Sequence, residues 1–365
     1  MFNNTFKGKK IIVTGHTGFK GAWLSLWLHK LGAEVVGISN EVPTTPSLFE
    51  TANLSQHIKD IWLDIRDYEP LKNVFINEKP DFVFHLAAQP IVSLSYSDPL
   101  GTFSTNMMGT AHVLEALRSL TNECISVIVT SDKCYDNVEW EWGYKETDHL
   151  GGKDIYSGSK GGAEIVFKSY FHSFLKKMSN HRIATARAGN VIGGGDWATD
   201  RIVPDCMKSW SKGESVEIRS PNSTRPWQHV LEPISGYLNL AEQLKLDNEL
   251  NGSSFNFGPK SEYSHTVEKL LKDLSIIWHF ENTDDAYKVT DDIKFHEAGL
   301  LKLNCDKALF HLKWLPVLDY DQLIDFTGSW YHEFYMGNTD ILKLTLGQIQ
   351  EYENIATSKF IKWAL

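Results

Sequence analysis

Short apolar runs alternate with longer amphipathic stretches through the first half of the chain. The apolar runs are rich in β-branched residues, which is typical of strands buried on both faces of a sheet. The expected strands are Ile11 to Val13, Glu34 to Ile38, Ile58 to Leu63, Asp81 to Leu86, Ser126 to Ser131 and Arg182 to Arg187. The expected helices between them run from Glu69 to Asn77, from Thr102 to Leu120 and from Gly158 to Met178. This order predicts an α/β fold with a doubly wound parallel sheet, whose ligands bind beyond the carboxyl ends of the strands.

The pattern changes after residue 190. Glycine, proline, tryptophan and polar residues dominate to about Gln228, and helical periodicity returns from Pro233 to Leu246 and in later segments. We therefore predict a Rossmann-type domain at residues 1–190 and a smaller, mixed substrate-binding lobe at residues 191–365. Two short strands within residues 228–258 fit either domain.

Length, composition and charge limit the classes of partner. The chain has 365 residues, of which 42% are hydrophobic and 22% charged, so it can form proper cores. Its net charge of -10 argues against binding along a nucleic-acid backbone. The 14 histidines show no metal-binding spacing, and no apolar run approaches the length of a membrane span. The four cysteines are far apart and no signal segment is visible, so we expect a cytoplasmic protein with small-molecule partners and neither metal, nucleic acid nor membrane.

The first candidate site is a glycine turn near the start of the chain. A predicted strand is followed by Gly15-x-x-Gly18-x-x-Gly21 and then by a helix. Gly15 permits the tight turn, Gly18 lets the backbone approach a pyrophosphate, and Gly21 lets the helix pack closely on the strand. The spacing alone is a weak signal. Its place between a strand and a helix favours a dinucleotide site over a turn without a ligand.

A second group of residues is suited to removing a proton from an alcohol. Ser131 ends a predicted strand, and Tyr156 and Lys160 lie four residues apart on one helix face. The lysine charge should lower the pKa of the tyrosine, so that the phenolate takes the alcohol proton as the hydride leaves. The serine hydroxyl can hold the same oxygen. A helix-opening tyrosine beside a solvated lysine is the alternative, and the serine and the glycine turn weigh against it.

These motifs resemble those of the extended short-chain dehydrogenase/reductase family over nearly the whole chain. The motifs are the glycine turn, Asp64-Ile65-Arg66-Asp67, His85-Leu86-Ala87-Ala88-Gln89, Asn106-Met107-Met108-Gly109-Thr110, the Ser131, Tyr156 and Lys160 set, and Arg225-Pro226-Trp227-Gln228-His229-Val230. Residues 15–21, 45–49 and 130–135 are similar to the nucleotide-sugar dehydratase branch that acts on CDP-D-glucose. The resemblance implies an NAD-dependent hydro-lyase that makes CDP-4-keto-6-deoxy-D-glucose, in dideoxysugar and surface polysaccharide (lipopolysaccharide O-antigen) biosynthesis.

Other functions fit the same motifs. The main alternatives are a nucleotide-sugar 4-epimerase and a dehydratase of another nucleotide sugar. A sugar-nucleotide reductase and a protein that binds the cofactor without catalysis are further alternatives, although Tyr156 and Lys160 argue against the last.

The resemblance also implies roles for individual residues. The implied cofactor residues are Gly15, Thr17, Gly18, Phe19, Lys20, Gly21, Ser39, Asp64, Ile65, Leu86, Ala87, Ala88 and Thr105. The implied catalytic residues are Ser131, Asp132, Lys133, Tyr156 and Lys160, and the residues implied at the nucleotide diphosphate are Asn190, Arg201, Arg225 and Asn256. Arg225 suits a diphosphate because such a group favours a bidentate cation. Helix capping, surface and turn roles remain open for Asp64, Arg201, Asn190 and Asn256.

The end of the second strand departs from the usual NAD-binding pattern. Where an acid often binds the adenosine ribose, this chain has Ser39 and Asn40. A neutral hydroxyl holds a ribose less firmly, and no arginine lies nearby to bind a 2′-phosphate. We therefore expect NAD rather than NADP, held comparatively loosely.

The residues after Ser131 have to serve the elimination of water. Asp132 would be protonated and would give its proton to the departing 6-hydroxyl, which burial would favour. Lys133 stands where the commoner dehydratase pattern has a glutamate that removes the C5 proton. A neutral lysine base, a charged lysine that stabilises the enolate, and a solvated turn lysine all remain open. Relatives pair through two long helices, so a homodimer through residues 102–120 and 158–178 is also expected.

Overall fold

The computed structural model describes residues 1–260, 265–290, 300–337 and 339–365. Its strands are β1 (Lys10–Thr14), β2 (Glu34–Ser39), β3 (Lys59–Trp62), β4 (Phe82–His85), β5 (Cys124–Val129), β6 (His181–Ala188), β7 (Val191–Ile192), β8 (Val216–Ile218), β9 (Thr224–Arg225), β10 (Gln228–His229), β11 (Ser254–Phe257), β12 (His265–Thr266) and β13 (Tyr287–Val289). Its α-helices are α1 (Phe19–Lys30), α2 (Leu48–Thr51), α3 (Tyr68–Glu78), α4 (Val92–Ser97), α5 (Pro99–Phe103), α6 (Thr110–Arg118), α7 (Ile155–Ser173), α8 (Ile202–Trp210), α9 (Leu231–Leu246), α10 (Val267–Ile277), α11 (Tyr320–Met336) and α12 (Ile341–Ser358).

A seven-stranded parallel sheet forms the centre of the molecule. The strand order is β11-β6-β5-β4-β1-β2-β3, and every neighbouring pair is parallel. The central strands are almost wholly buried because apolar clusters cover both faces, which explains their uninterrupted apolar runs. The predicted α/β fold with a doubly wound parallel sheet is confirmed.

The sheet order places the carboxyl ends of β1, β4 and β5 side by side. β4 lies between β1 and β5, so the glycine turn after β1 and Ser131 after β5 open toward the same edge. Functional side chains from distant parts of the sequence therefore meet beyond one edge of the sheet.

The structure assigns the two strands that fitted either predicted domain. Ser254–Phe257 pairs with β6 and completes the central sheet, whereas Gln228–His229 pairs with Val191–Ile192 in a separate two-stranded sheet. One apolar cluster also combines residues from both predicted parts, including Trp23, Trp27, Trp330 and Trp363. The proposed boundary at residue 190 therefore lies within a shared core.

Both predicted long helices are present with shifted bounds. α5 and α6 are joined by a π-helical segment, Ser104–Gly109, so helical structure extends from Pro99 to Arg118. α7 begins three residues earlier than predicted because Asp154 caps it, accepting a hydrogen bond from Ser157 N. This cap fixes the first turn of α7, where Tyr156 lies.

Candidate active site

The glycine turn has the close contacts that a dinucleotide site requires. Gly15 has φ +78°, and a Cβ there would lie 2.7 Å from Ala87 N. A Cβ on Gly21 would lie 2.0 Å from the Gly15 carbonyl oxygen, so α1 can pack this closely on the turn only with glycine at that position. Gly18 is the N-cap of α1, whose first turn leaves backbone N–H groups for a phosphate. These residues fit an NAD pyrophosphate.

A buried histidine holds the residue expected at the adenosine ribose. His16 Nε2 lies 2.9 Å from Asp60 Oδ1, and its Nδ1 lies 3.1 Å from Ser39 Oγ. Thr17 N donates to the same serine oxygen at 3.4 Å. Burial lowers the pKa of His16 although the Asp60 carboxylate acts in the opposite direction. Ser39 is thus fixed beside the turn, and the sequence analysis did not identify His16 as its partner.

The other expected cofactor residues lie along the same edge of the sheet. Asp64 accepts a fork of hydrogen bonds from Arg66 and a further bond from Asn40 Nδ2 at 3.2 Å, which orients its carboxylate. Ile65 is buried against Gly109. The other expected cofactor residues on this edge are partly exposed: Phe19, Leu86, Ala87, Ala88 and Thr105. Contact of these residues with a cofactor stays a prediction.

Ser131, Asp132 and Tyr156 lie close together at the end of β5. Ser131 Oγ donates to Asp132 Oδ1 at 2.9 Å, and the serine hydroxyl is near enough to Tyr156 to lower the pKa of the phenol. Exposure of the three residues is 7%, 4% and 8% in that order. A Cβ on Gly189 would lie 1.9 Å from Asp132 Oδ2, so the carboxylate rests directly on that glycine. The structure therefore brings together three of the five residues expected to be catalytic.

The expected pKa of the tyrosine is wrong for the protein chain itself. Burial raises the pKa of Tyr156 to about 12; the Ser131 hydroxyl and Arg201 act in the opposite direction, and the Asp132 charge adds to the rise. The Lys160 ammonium is 5.9 Å from the centre of the Tyr156 ring, and burial together with Lys20 lowers the pKa of Lys160 to about 8. Burial of the phenol thus outweighs the neighbouring cation.

Lys20 in the glycine turn is influenced by charges from outside the turn. Burial lowers its pKa to about 8 and Arg201 acts in the same direction, whereas Asp132 and Asp196 oppose it. Sequence analysis assigned Lys20 to the cofactor because of its place in the glycine motif. The charge of Asp132 therefore also acts on this lysine.

Lys133 follows Asp132 in a short 3₁₀ turn. Its backbone N–H donates to Ser131 Oγ at 3.2 Å, so the turn itself holds the serine in place. The side chain is partly buried. Its part in removing the C5 proton stays a prediction.

The four residues expected at the diphosphate have different surroundings. Arg201 forms an ion pair with Asp196 at 2.7 Å and lies close enough to Tyr156 to affect its pKa. Asn190 has φ +53° and receives the Gln228 N–H at its carbonyl oxygen. Arg225 lies in β9, where its guanidinium donates to the Thr224 carbonyl oxygen at 2.9 Å.

Asn256 lies apart from this group. It is fully buried in β11, where its amide donates to the carbonyl oxygens of Tyr144 and Asn304 and accepts from Tyr135 Oη at 2.7 Å. A diphosphate contact of Asn256 stays a prediction, and its amide is fully engaged with protein partners.

A cleft borders Asp132, the residue expected to act as the acid. Asp132 and Gly189 lie on one side, and Asn190, Lys260 and Lys302 also line it. Two lysines beside a carboxylic acid suit a sugar that carries a phosphate group. Neither lysine belongs to a recognisable motif, so the sequence alone provided no signal for them.

A buried ion pair supports the end of β5 from below. Arg187 forms two hydrogen bonds with Glu164, at 3.0 and 2.7 Å, and donates to Tyr135 Oη at 2.7 Å. Thr130 Oγ1 donates to Glu164 at 2.6 Å, one residue before Ser131. Because Glu164 lies one helical turn after Lys160, the pair ties β5, β6 and α7 together beneath the reacting groups.

The part of the chain that the structure describes contains neither a metal-binding cluster nor a membrane-spanning helix. Across residues 1–260, 265–290, 300–337 and 339–365, no group of three or more His, Cys, Asp or Glu side chains could hold a metal ion. Within the same residues, none of the helices combines the length and the apolar character that crossing a bilayer requires.

Comparison with known proteins agrees with this geometry. Residues 12–327 match the model of the family described as GDP-mannose 4,6 dehydratase. The chain is 44% identical to CDP-glucose 4,6-dehydratase of Salmonella typhimurium over 359 residues, which are 97% of this chain and 99% of the relative. Its fold is similar to that of a Bacillus anthracis dTDP-glucose 4,6-dehydratase in complex with NAD, with a TM-score of 0.75, 17% identity and coverage of 89% and 97% of the two chains. UDP-glucose 4-epimerase of Thermotoga maritima has a TM-score of 0.76 at 21% identity, with coverage of 89% and 99%.

Proposed function

Because the chain belongs to the GDP-mannose 4,6 dehydratase family, within the extended short-chain dehydrogenases/reductases, we propose that it dehydrates CDP-D-glucose to CDP-4-keto-6-deoxy-D-glucose. It is then a hydro-lyase that uses NAD and regenerates it in each turnover. The CDP-glucose 4,6-dehydratase of Salmonella typhimurium supports this substrate, since it is 44% identical over almost the full length of both chains.

The placement of Tyr156 beside Ser131, which is itself hydrogen-bonded to Asp132, is the observation that carries the reaction type. A dehydratase needs a group that handles the 4-hydroxyl proton and, close to it, an acid for the 6-hydroxyl. Tyr156 and Ser131 are suited to the first task, and Asp132 is hydrogen-bonded to Ser131 at 2.9 Å. A 4-epimerase needs the first group but not the acid.

The cofactor would be held by the glycine turn, Ser39 and the Asp64–Ile65 segment. NAD bound there would accept the C4 hydride and later return it to C6. Oxidation at C4 acidifies the C5 hydrogen. Lys133 then serves at the C5 proton, as the base or as a charge that stabilises the enolate, while Asp132 protonates the departing 6-hydroxyl. Lys260, Lys302, Asn190, Arg201 and Arg225 supply positive charge and donors for the nucleotide diphosphate.

NAD is favoured over NADP by the side chains around the ribose position. Asp60 and Asp64 are acidic, and Ser39 is held by His16 rather than by a cation. Arg66 does lie near this position but is paired with Asp64, so a 2′-phosphate would meet the Asp60 carboxylate there. Titration of the cofactor-free protein with both dinucleotides tests this, and tighter binding of NADP would contradict it.

Product analysis with four nucleotide sugars tests the substrate. We expect the 4-keto-6-deoxy product from CDP-D-glucose at a higher rate than from the UDP, dTDP and GDP sugars. In deuterated water the product should carry deuterium at C5, whereas an epimerase would leave C5 unlabelled. Faster turnover of another nucleotide sugar, or inversion at C4 without loss of water, would refute the assignment.

The proposal also covers the oligomeric state, the cellular location and the pathway of the protein. The chain is a homodimer through α5, α6 and α7, acts in the cytoplasm and supplies a dideoxysugar pathway for lipopolysaccharide. Exposed apolar residues on these helices support the dimer, among them Leu100, Met108 and Ile165.

A further inference from the structure

The resemblance implies a diphosphate contact for Asn256, but the side chain has no donor left for a phosphate. Asn256 is fully buried. Its amide nitrogen donates to the carbonyl oxygens of Tyr144 and Asn304, at 2.8 and 3.1 Å, and its amide oxygen accepts from Tyr135 Oη at 2.7 Å. A carboxamide has two N–H donors, and both are used within the protein. This arrangement leaves none for an anion.

The partners of Asn256 hold one wall of the cleft beside Asp132. Residues 301–303, which we call the cleft wall, line that cleft. The segment pairs with Tyr144, whose N–H donates to the Lys302 carbonyl oxygen and whose carbonyl oxygen accepts from Asn304 N, both at 2.9 Å. Because Asn256 Nδ2 binds the carbonyl oxygens of Tyr144 and Asn304 at once, it joins the two segments where they meet.

Asn256 also connects the cleft wall to the central sheet. It lies in β11, which pairs with β6 in register. Tyr135 Oη, which donates to Asn256, itself accepts from Arg187 on β6 at 2.7 Å. β6 in turn pairs with β5, the strand that leads to Asp132. The amide therefore fixes the wall relative to the part of the sheet that carries the proposed acid.

Lys302 is the charged residue of the cleft wall. It lines the cleft together with Asp132, whereas its neighbours on the wall are Leu301 and Leu303. A lysine ammonium binds a phosphate as a point charge, and its attraction depends on the distance between the two groups. Displacement of the wall would therefore weaken binding of a diphosphate in the cleft.

We propose that Asn256 is a positioning residue for substrate binding, which holds residues 301–303 so that Lys302 contacts the nucleotide diphosphate. The proposal rests on the function proposed above and deepens it. It names Lys302 as a diphosphate contact and replaces the direct contact that the resemblance implies for Asn256. Asn256 then acts on the affinity for substrate rather than on the chemical step.

Gly143 offers a second way to displace the cleft wall. A Cβ on Gly143 would lie 2.7 Å from Asn304 N and 2.8 Å from the carbonyl carbon of Leu303, which are both backbone atoms. Gly143→Ala should therefore push the segment while the Asn256 side chain stays unchanged. The matched control is Gly347→Ala in α12, where a Cβ would contact nothing within 4 Å.

Binding of CDP and of cytidine to the NAD-bound protein tests the proposal. The probes differ by the diphosphate, so cytidine reports on the rest of the nucleotide site. We expect Lys302→Met, Asn256→Ala and Gly143→Ala each to weaken CDP binding about tenfold, the loss typical of one charge-assisted contact, and to leave cytidine binding within about twofold. Gly347→Ala should bind both probes like the wild-type protein.

Double variants decide whether Asn256 acts through Lys302. In the Lys302→Met background, Asn256→Ala and Gly143→Ala should cause no further loss of CDP affinity, because the contact that they disturb is already absent. In each single variant, KM for CDP-D-glucose should rise about tenfold while kcat stays within about twofold of wild type. A general loss of structure would lower kcat as well.

Three results would overturn the proposal. Additive losses of CDP affinity in the double variants would mean that Asn256 acts independently of Lys302. Wild-type CDP affinity in Gly143→Ala would mean that the position of the wall does not matter, and this variant decides the question if Asn256→Ala does not fold. An equal loss of cytidine binding would mean that the whole site is disturbed. Failure of the wild-type protein to dehydrate CDP-D-glucose would instead refute the proposed function.

Discussion

Gly189 shows how one missing side chain sets the position of Asp132, the proposed acid. A Cβ at this residue would lie 1.9 Å from Asp132 Oδ2 and 2.1 Å from Asp132 Cγ. The carboxylate is the mobile end of its side chain, so Gly189→Ala should fold but push Asp132 away from Ser131. We expect the rate of water elimination to fall roughly a hundredfold, in the range lost when one acid catalyst is misplaced.

Single-turnover measurement of product from CDP-D-glucose checks this expectation. The matched control is Gly347→Ala in α12, where a Cβ would contact nothing within 4 Å. A helix-interior change of this kind should leave activity unaltered and stabilise the fold by about 0.5–1 kcal/mol. Normal dehydration by Gly189→Ala would mean that Asp132 does not need its present position.

Replacing Lys133 by methionine tests whether its side chain acts at C5, as a base or as a charge, or serves only in the turn. Removing its amine leaves the Lys133 N–H bond to Ser131 intact, because that bond is made by the backbone. We therefore expect Lys133→Met to fold and to reduce NAD in a single turnover, but to lose C5 deuterium exchange and water elimination. Near-normal dehydration would exclude both active roles, and loss of NADH formation as well would mean that Lys133 positions the sugar.

At the scale of elements, the buried Glu164–Arg187 pair joins α7 to β6 beneath the site. Burial acts to raise the pKa of Glu164, but the Arg187 charge and the hydrogen bonds from Arg187, Thr130 and Thr185 hold it below its usual range. Glu164→Gln leaves the guanidinium buried without its counter-charge. We expect the free energy of unfolding to fall by about 3–5 kcal/mol, measured by urea denaturation.

A surface pair provides the control for this change. Glu115 and Arg118 are joined at 2.7 Å on α6 but remain about one-third exposed, so Glu115→Gln should lower the free energy of unfolding by at most about 1 kcal/mol. Equal costs for both variants would contradict a special role for the buried pair.

The stability that the buried pair provides should depend on pH. Because the pKa of Glu164 is lower in the folded protein than in the unfolded chain, its stabilising contribution is present above the unfolded pKa and is lost as the pH falls through the folded pKa.

The sequence predicted the elements well where a local pattern fixes them. Apolar β-branched runs specified β1 and β4 within a residue or two, because a strand buried on both faces leaves no polar position inside it. Short strands such as Gln228–His229 were harder to place. Their partners depend on how distant segments pack, and that information lies outside any local window.

Side-chain directions were the part of the site that the sequence could not supply. Lys20 belongs to the glycine motif, yet the charges of Arg201 and Asp132, which are distant in sequence, shift its pKa. The resemblance implies a diphosphate contact for Asn256, but β11 enters the central sheet and buries its amide. The sign of the Tyr156 pKa shift was also wrong, because local spacing shows the nearby lysine but not the depth of burial.

At the scale of the whole molecule, exposed apolar side chains on the helical segments from α5 to α7 predict a dimer interface. Met107 packs against Gly162 between the helical segments, and beside that contact Met108 and Ile165 remain 52% and 55% exposed. Leu100 on α5 is 81% exposed. A second copy of the chain that covers this face would remove these side chains from water, and a stable dimer requires about 1,200–2,000 Å² of buried surface in total.

Charged substitutions on this face should separate the subunits. We expect a dimer at micromolar concentration by sedimentation, and a monomer for the double variant Met108→Glu, Ile165→Glu, since both glutamates would have to lose their water in the interface. Leu246→Glu, at the end of α9 and 68% exposed, is the matched control and should remain dimeric. α7 also carries Tyr156 and Lys160, and loss of the partner would remove support from that helix. The monomeric variant should therefore also show a lower turnover rate. A wild-type monomer would refute the interface, and a double variant that stays dimeric would move it to another face.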